Sequence, residues 1–278
     1  MEDAHIIDTT TLGKGIYLFS VFDGHGGKEV SQYLRDNFWN TLKSNENFKN
    51  KEYELALIQT FKEIDESLTN KDVNDELKDI SNAPENSWDN PKIKGVAYSV
   101  GSTACLALIT PESIFVANLG DSRCIISKNK KPYEMSVDHK PNLKSEKKRI
   151  KAAGGFIKDN RVNGMLNLSR SFGDMNYKSN EDLSPKKQLV ISLPEICEQE
   201  RNKDIDFIFI ACDGIWDTIS SIDAAKFINQ RLKKSSKSKK KGFKISNIIQ
   251  ELFKKNLALD VITARKSLIL ECIKLFIN

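Results

Sequence analysis

The chain has 278 residues, a net charge of +5, and 39% hydrophobic and 29% charged residues. This composition is typical of an ordinary soluble globular protein. No apolar stretch has membrane-spanning length, and much of the mild positive charge comes from a lysine-rich segment near 233–244. We therefore expect no membrane and no nucleic-acid partner.

The cysteines and histidines indicate what kind of metal site the chain could hold. The five cysteines are scattered, without a Cys-x-x-Cys pair, and there are only three histidines. This usage predicts reduced thiols in an intracellular protein, cytoplasmic or nuclear, and disfavours a zinc site. Any metal would be held by oxygen atoms.

Two apolar runs, 16–22 and 207–212, lead directly into Asp23-Gly24 and Asp213-Gly214. Each run has the length and the aromatic or β-branched content of a buried strand. A carboxylate at the end of such a strand is costly as a bare charge, and a following glycine lets the backbone turn close to a ligand. Together, the two strand ends predict an oxygen-rich pocket for hard divalent cations.

Amphipathic helices are predicted after the first run. One helix would bury Val30, Leu34, Phe38 and Leu42, and a second would bury Leu57, Phe61, Ile64 and Leu68. Residues 70–95 turn polar and are predicted to form a surface insertion.

Short strands are predicted next, over 101–109, 114–119 and 124–127. Their tight connections predict antiparallel pairing and argue against a doubly wound parallel sheet. A second antiparallel stretch is expected over 161–174, and a loose segment over 175–188.

The remaining pattern predicts three helices. The first covers Glu146–Ala153 with Ser145 as its cap, and the second is capped by Ser221. The second helix would place Ile222, Ala225, Ile228 and Leu232 on one face. The third covers Ser246–Leu257, and the lysine-rich segment is predicted as a solvated loop, with nuclear import or an acidic partner as the alternative. We interpret residues 1–278 as one α+β domain.

Acidic residues are the candidates for chemistry: Glu2, Asp3, Asp23, Asp121, Asp174, Asp213 and Asp217. Phosphate-ester hydrolysis is served by two divalent cations about 3.5–4 Å apart, and Mg²⁺ or Mn²⁺ prefers such oxygen ligands. Asp23 would bridge both ions, with the Gly24 carbonyl as a neutral ligand. Each feature also has a plain interpretation, because an Asp-Gly pair or His25 between glycines is commonly a turn. Asp174 would then be a cap or turn residue, and Arg123 and Arg170 would be structural partners of carboxylates.

The motifs taken in order resemble the metal-dependent type 2C protein serine/threonine phosphatases, from the first residue to about Leu257. The segments that carry the resemblance are Met1–His5, Phe22–Gly27, Gly101–Ala104, Ala117–Arg123, Asp138–Pro141, Leu168–Asp174, Pro194–Ile196 and Ala211–Asp217.

The resemblance implies two antiparallel sheets flanked by helices, with a binuclear Mg²⁺/Mn²⁺ site at their edge. It implies that Asp23 bridges the ions, that Asp213 holds one, and that Glu2 and the Gly24 carbonyl hold the other. Asp3 would act through metal-bound water, and Asp121 and Asp217 would form a weaker third site. A metal-bridging hydroxide would attack phosphorus, His25 would be the general acid, and residues 175–188 would match the flap associated with substrate preference.

Two departures from the family pattern concern the ends of the printed chain. The family has a phosphate-binding arginine and a first strand before the Met-Glu-Asp motif, at which this sequence begins. The family also closes with a metal-ligand aspartate in an Asp-Asn pair, whereas Thr263–Ser267 runs here into Leu268. Neither Asp260 nor Glu271 is a convincing substitute, so we expect weaker affinity at one metal.

Two hypotheses about function follow. The first is a monomeric phosphatase acting on phosphoserine and phosphothreonine in phosphoprotein substrates. The second is an inactive pseudophosphatase or binding module, or a truncated gene model, that lacks the arginine and the terminal aspartate. An aspartyl-nucleophile phosphatase is rejected, because Asp213 is followed by Gly214-Ile215 instead of a second aspartate two positions on.

Overall fold

The computed structural model describes residues 1–10, 15–81, 94–237, 245–257 and 270–273. The strands in chain order are β1 (Ala4–Asp8), β2 (Tyr17–Phe22), β3 (Gly24–His25), β4 (Gly101–Ser102), β5 (Ala104–Ile109), β6 (Ser113–Leu119), β7 (Arg123–Lys128), β8 (Lys131–Glu134), β9 (Ile157–Lys158), β10 (Arg161–Val162), β11 (Phe172–Gly173), β12 (Glu195–Glu200), β13 (Ile205–Ala211) and β14 (Leu270–Ile273). The helices are α1 (Glu29–Ser44), α2 (Glu46–Lys49), α3 (Tyr53–Ser67), α4 (Lys71–Ser81), α5 (Lys144–Ala152), α6 (Asp213–Trp216), α7 (Ser221–Lys237) and α8 (Ile245–Leu257).

Two antiparallel sheets form the centre of the fold. Sheet A has the strand order β1-β2-β5-β6-β12, and sheet C has the order β14-β13-β7-β8. Alternate side chains of both sheets, such as Val21 and Ala107 from sheet A and Ile126 and Ile208 from sheet C, belong to one buried cluster. Because side chains on a strand alternate between its two faces, this cluster is the layer between the sheets.

Helices cover the two outer faces. Phe22, Leu106 and Ala117 of sheet A are buried together with Phe38 of α1 and Phe61 of α3. On the other side, Phe207, Phe209 and Ala211 of β13 are buried against α7 and α8. The prediction of an α+β fold with two antiparallel sheets flanked by helices is confirmed.

A third, small sheet, sheet B, has the order β11-β4-β3. It joins Gly24–His25, Gly101–Ser102 and Phe172–Gly173, which are far apart in the sequence. This sheet places three of the motif segments side by side at one end of the fold.

Two sequence predictions about the sheets and the insertion need correction. The first half of the 70–95 segment is helix α4, whose Leu77 is fully buried in the cluster with α1; residues 82–93 lie outside the described part. Strands β6 and β7 do not pair, because the turn Gly120-Asp121-Ser122 carries the chain from sheet A to sheet C.

Helix boundaries also differ from the predictions. Leu143, not Ser145, precedes α5. Ser220, not Ser221, accepts a hydrogen bond from the backbone N–H of Asp223 at the start of α7, as an N-cap does. Ile222 is 67% exposed and does not lie on the buried face of α7. Helix α7 continues to Lys237, so the lysine-rich segment begins as helix, and residues 238–244 are not described.

No helix of the described residues is long and apolar enough to span a membrane.

Candidate metal centre and active site

Asp23 is fixed by its backbone where β2 ends. Its N–H donates to Thr103 Oγ1 at 3.2 Å, and its carbonyl accepts from Thr103 N–H at 2.9 Å. Thr103 Oγ1 lies 2.9 Å from Ser122 Oγ, and both hydroxyls are buried. These bonds connect the end of β2 to the turn that carries Asp121.

Carboxylates from distant segments surround Asp23. Asp3, Asp23 and Cys212 each place one ligand atom within 4.8 Å of the others. Burial, followed by the charges of Asp213, Asp3 and Asp121, raises the pKa of Asp23 to about 9. The structure therefore brings the acids at the two strand ends together, and Asp213 is the first residue of the short helix α6.

The donor set fits hard divalent cations. Carboxylates dominate the cluster, and ionised carboxylates this close repel one another unless a cation lies between them. The Cys212 thiol is 1% exposed, and burial, followed by the charges of Asp23 and Asp3, raises its pKa well above the ordinary value. Cys212 is therefore a neutral thiol behind an oxygen-rich site.

Gly24 holds the first residues of the chain against the start of α1. A Cβ atom at position 24 would collide with the Glu2 carbonyl oxygen, so only glycine permits this approach. The same carbonyl accepts a hydrogen bond from Ser31 Oγ, which also donates to the Lys28 carbonyl at 2.9 Å. The Glu2 side chain is exposed, whereas Asp3 is buried.

Lys140 lies near Asp121 and Asp217, which are predicted for the weaker third site, and near Asp213. Its Nζ forms an ion pair with buried Asp121. Burial raises the pKa of Asp121 to about 6, although the charge of Lys140 lowers it. Burial lowers the pKa of Lys140, but the charges of Asp121, Asp213 and Asp217 outweigh this and raise it overall. Sequence reasoning did not assign Lys140 a role.

His139 fixes the turn before Asp121. Gly120 N–H donates to His139 Nδ1 at 3.1 Å, and His139 N–H donates to the Gly120 carbonyl at 2.8 Å. Burial lowers the pKa of His139, which keeps the ring neutral, and its Nε2 lies 3.3 Å from Glu195. Gly120 has a φ of +110°, which favours glycine.

His25, which is partly exposed, forms a pair with buried Asp174. Its Nε2 lies 2.7 Å from Asp174 Oδ2, which also accepts from Ser171 Oγ at 2.6 Å. Burial lowers the pKa of His25, but the charge and hydrogen bond of Asp174 outweigh it, so the pKa is raised overall. His25 Nδ1 is buried and has no hydrogen-bond partner among the described residues.

Asp174 is more than a turn residue. It adopts a left-handed conformation with φ of +52°, which costs energy for a residue other than glycine. A Cβ atom at Gly101 would collide with both Asp174 and His25, so the small sheet leaves room for this pair. Hydrogen bonds that the buried Asp174 carboxylate makes with His25 and Ser171 hold this backbone conformation in place.

Asp65 of α3 anchors the loop that carries Asp174. It accepts from Gly173 N–H at 3.0 Å, and Lys178 Nζ contacts its two oxygens at 2.7 and 2.8 Å. Lys178 Nζ also donates to the Ser171 carbonyl at 2.8 Å. This buried clamp links α3 to the His25–Asp174 pair, and no sequence pattern indicated it.

The two arginines of the motifs have carboxylate partners. Arg123 donates to both oxygens of Asp138 at 3.0 and 2.8 Å, and its guanidinium lies over the Trp216 ring. Arg170 donates to both oxygens of buried Glu146 at 3.1 and 2.8 Å. These contacts match their interpretation as structural residues.

The departure expected at the end of the chain falls mostly on residues that are not described. Asp260 lies outside the described part. Glu271 lies in β14 and is paired in register with Ile210 of β13.

The chain was compared with families and with proteins of known sequence or structure. The model of the family described as Protein phosphatase 2C matches residues 1–261. "Probable protein phosphatase 2C 4" of Paramecium tetraurelia is 43% identical over 232 residues, covering 84% of this chain and 73% of that protein. "Probable protein phosphatase 2C 21" of Arabidopsis thaliana is 37% identical, covering 95% of this chain and 79% of that protein.

A phosphatase structure from Toxoplasma gondii shares the fold, with a TM-score of 0.74 at 18% identity over 99% of this chain and 92% of that one. The family match and the sequence relatives together favour the enzyme over the binding module. The chain belongs to the protein phosphatase 2C family, whose members are protein serine/threonine phosphatases.

Proposed function

We propose that this phosphatase removes phosphate from phosphoserine and phosphothreonine of proteins with two Mg²⁺ or Mn²⁺ ions and a weaker third. The observation that carries the proposal is the convergence of Asp3, Asp23, Asp121 and Asp213 from distant segments, where burial and the neighbouring charges raise the pKa of Asp23 to about 9. Such a cluster is unfavourable unless cations neutralise it.

Each carboxylate has a distinct part in this proposal. Asp23, at the end of a strand of sheet A, would contact both ions of the main pair. Asp213, after a strand of sheet C, would hold one of these ions, and Glu2 and the Gly24 carbonyl would hold the other. Asp3 would act through water, and Asp121 and Asp217 would contribute to the weaker site. Mg²⁺ or Mn²⁺ held there would draw charge from the phosphoryl oxygens and acidify water.

His25 would protonate the leaving seryl or threonyl oxygen. Its raised pKa keeps the imidazolium form at higher pH than an ordinary histidine would. Asp174 engages Nε2, and Nδ1 is buried in the present arrangement. Proton delivery therefore requires the ring to turn toward the substrate.

The test combines metal binding with phosphate release. Calorimetry with Mn²⁺ should show binding to the unaltered chain and weaker binding to Asp23→Asn and Asp213→Asn. Phosphate release from a phosphothreonine peptide should depend on Mn²⁺. It should fall at least a hundredfold in both variants, because each loses a carboxylate that would hold an ion beside the phosphate. Asp204→Asn, an exposed aspartate whose side chain makes no described contact, is the matched control.

Different results would contradict the metal-dependent mechanism and the catalytic function. Turnover without metal that survives both substitutions would exclude the mechanism. Mn²⁺ binding without any phosphate release would indicate the non-catalytic module instead. The monomeric state and the intracellular location stay predictions.

A further inference from the structure

A strongly basic surface lies on the segment between the site motifs. Helix α5 exposes Lys144, Lys147, Lys148 and Lys151, and the β9–β10 hairpin exposes Lys158 and Arg161. The 3-10 helix Pro185–Lys187, which packs against α5, adds exposed Lys186 and Lys187. These eight side chains are called the basic face below.

The charge of the basic face is not neutralised locally. Residues 144–161 contain seven basic and two acidic residues, a surplus equal to the +5 of the whole chain. One of the two, Glu146, is buried and paired with Arg149 and Arg170, so Asp159 is the exposed acid of this segment. Within the described ranges, none of the eight basic side chains forms an ion pair with an acidic residue.

The N-terminal part of α5, the helix that carries half of the basic face, is fixed next to the candidate active site. Lys140, which pairs with Asp121, precedes the start of α5 by four residues. Buried Glu146 of α5 accepts from Ser169 Oγ at 2.8 Å as well as from Arg170. The loop that begins at Ser169 runs directly to Asp174, the partner of His25. The position of α5 relative to the site is therefore set by buried polar contacts.

The two neighbouring surfaces have opposite charge. The carboxylate cluster repels acidic side chains of a substrate, whereas the basic face attracts them over a screening length of about 8–10 Å. A polypeptide substrate extends on both sides of its phosphorylated residue and must cross the neighbouring surface. Exposed Phe156, just before the hairpin, and Met165, in the turn after it, add apolar contact area.

We infer that the basic face binds acidic residues that flank the phosphorylated serine or threonine, so that phosphoproteins with Asp- or Glu-rich sites are the preferred substrates. This inference rests on the proposed function. It is carried by charge complementarity and by the fixed position of α5 beside the site.

The experiment uses two phosphothreonine peptides that differ only in carrying Glu or Gln at the flanking positions. With Mn²⁺ and low salt, kcat/KM should be roughly tenfold higher for the Glu peptide. The preference should disappear near 1 M salt, where the screening length is about 3 Å. The triple variant Lys147→Glu, Lys148→Glu, Lys151→Glu should lose the preference yet hydrolyse the Gln peptide at the unaltered rate.

A second triple variant, Lys131→Glu, Lys203→Glu, Lys226→Glu, makes the same change in charge at exposed lysines elsewhere and should keep the preference. Equal rates for both peptides in the unaltered chain would overturn the inference and leave the proposed function intact. Loss of preference in both triple variants would overturn it as well, because net charge alone would then explain the effect. Failure to hydrolyse either peptide would refute the proposed function together with the inference.

Binding gives a readout that does not need turnover. Anisotropy of the labelled Glu peptide, measured with the Asp23→Asn variant, should show weaker binding when the α5 substitutions are added. One result would overturn the inference. A single-stranded RNA would bind more tightly than the Glu peptide, and the α5 substitutions would abolish RNA binding without any effect on peptide binding.

Discussion

Lys140 Nζ forms an ion pair with Asp121 at the turn where the chain passes from sheet A to sheet C. The pair places an ammonium group among the carboxylates of Asp121, Asp213 and Asp217. The chain thus supplies one cation of its own to a cluster that otherwise consists of acids. An ion at the proposed third site would therefore compete with Lys140 for Asp121.

Replacing this lysine should destabilise the metal-free protein. Lys140→Met leaves the buried Asp121 carboxylate without its cation, which costs about 1–3 kcal/mol of unfolding free energy. Urea unfolding in the presence of a chelator measures this loss. Added Mn²⁺ should restore more stability to the variant than to the unaltered chain, because no ammonium competes for Asp121.

Lys144→Met is the matched control for that experiment. Lys144, the first residue of α5, lies four residues further along the chain and is exposed, so its removal should change the unfolding free energy by less than about 0.5 kcal/mol. Equal losses in both variants would show that the Lys140–Asp121 pair contributes nothing to stability.

The stability of the metal-free protein should fall as pH rises. The folded chain raises the pKa of Asp23 from 3.8 to about 9, so the folded state binds the Asp23 proton more tightly than the unfolded state does. Between these values the unfolded state holds fewer protons, and stability decreases with pH. Melting temperatures measured with a chelator across this range should show the slope.

Asp23→Asn should flatten that slope, because the amide does not ionise. At about pH 8 the variant should melt at a higher temperature than the unaltered chain without metal, and should lose the stabilisation that Mn²⁺ gives. Asp204→Asn should behave like the unaltered chain. A metal-free melting temperature that is independent of pH would contradict the crowding of carboxylates around Asp23.

The Asp174 carboxylate should affect turnover through His25. Asp174→Asn removes the charge that raises the pKa of His25, so the high-pH limb of kcat should move to lower pH. We expect kcat to fall at least tenfold while KM changes little, since the buried Asp174 side chain contacts His25 and Ser171. Steady-state rates over pH test this, with exposed Asp182→Asn as the control. An unchanged pH profile would assign Asp174 a purely structural role.

The clamp between α3 and the Asp174 loop should be cooperative. Asp65→Ala leaves buried Lys178 without its partner and frees Gly173 N–H, which should cost about 3–5 kcal/mol. The double variant with Lys178→Met should lose less than the sum of the single losses, as urea unfolding of the four proteins would show. Additive losses would mean that the two residues act independently.

Much of the fold could be predicted because strand and helix patterns are local. The runs ending at Asp23 and Asp213 became β2 and β13, and the spacing of Val30, Leu34 and Phe38 gave α1. The polar composition of 71–81 concealed α4, although Val73, Leu77 and Ile80 have the spacing of one helix face and pack against the core. The sequence did not predict that the chain passes from one sheet to the other between β6 and β7. A short turn has the same sequence features whether the strands on either side pair with each other or belong to different sheets.

The candidate site likewise contains residues that the sequence predicted and residues whose roles it did not predict. The acidic residues could be named from motifs, and the convergence of Asp3, Asp23 and Asp213 agrees with that prediction. Asp174 and Lys140 also lie in the motifs, but their roles and that of Asp65 could not be predicted, because these depend on contacts between residues 19 to 149 positions apart. A lysine or aspartate in a turn carries no sequence signal of its distant neighbour.

The division of the carboxylates between the two sheets makes the site sensitive to remote packing. Asp23 ends a strand of sheet A, Asp213 follows a strand of sheet C, and Asp121 lies on the crossing between them. A small slide of one sheet over the other would alter the spacing of all three acids at once. The thickness of the buried layer between the sheets, to which Ile126 and Ile208 belong, therefore sets the distances between these carboxylates.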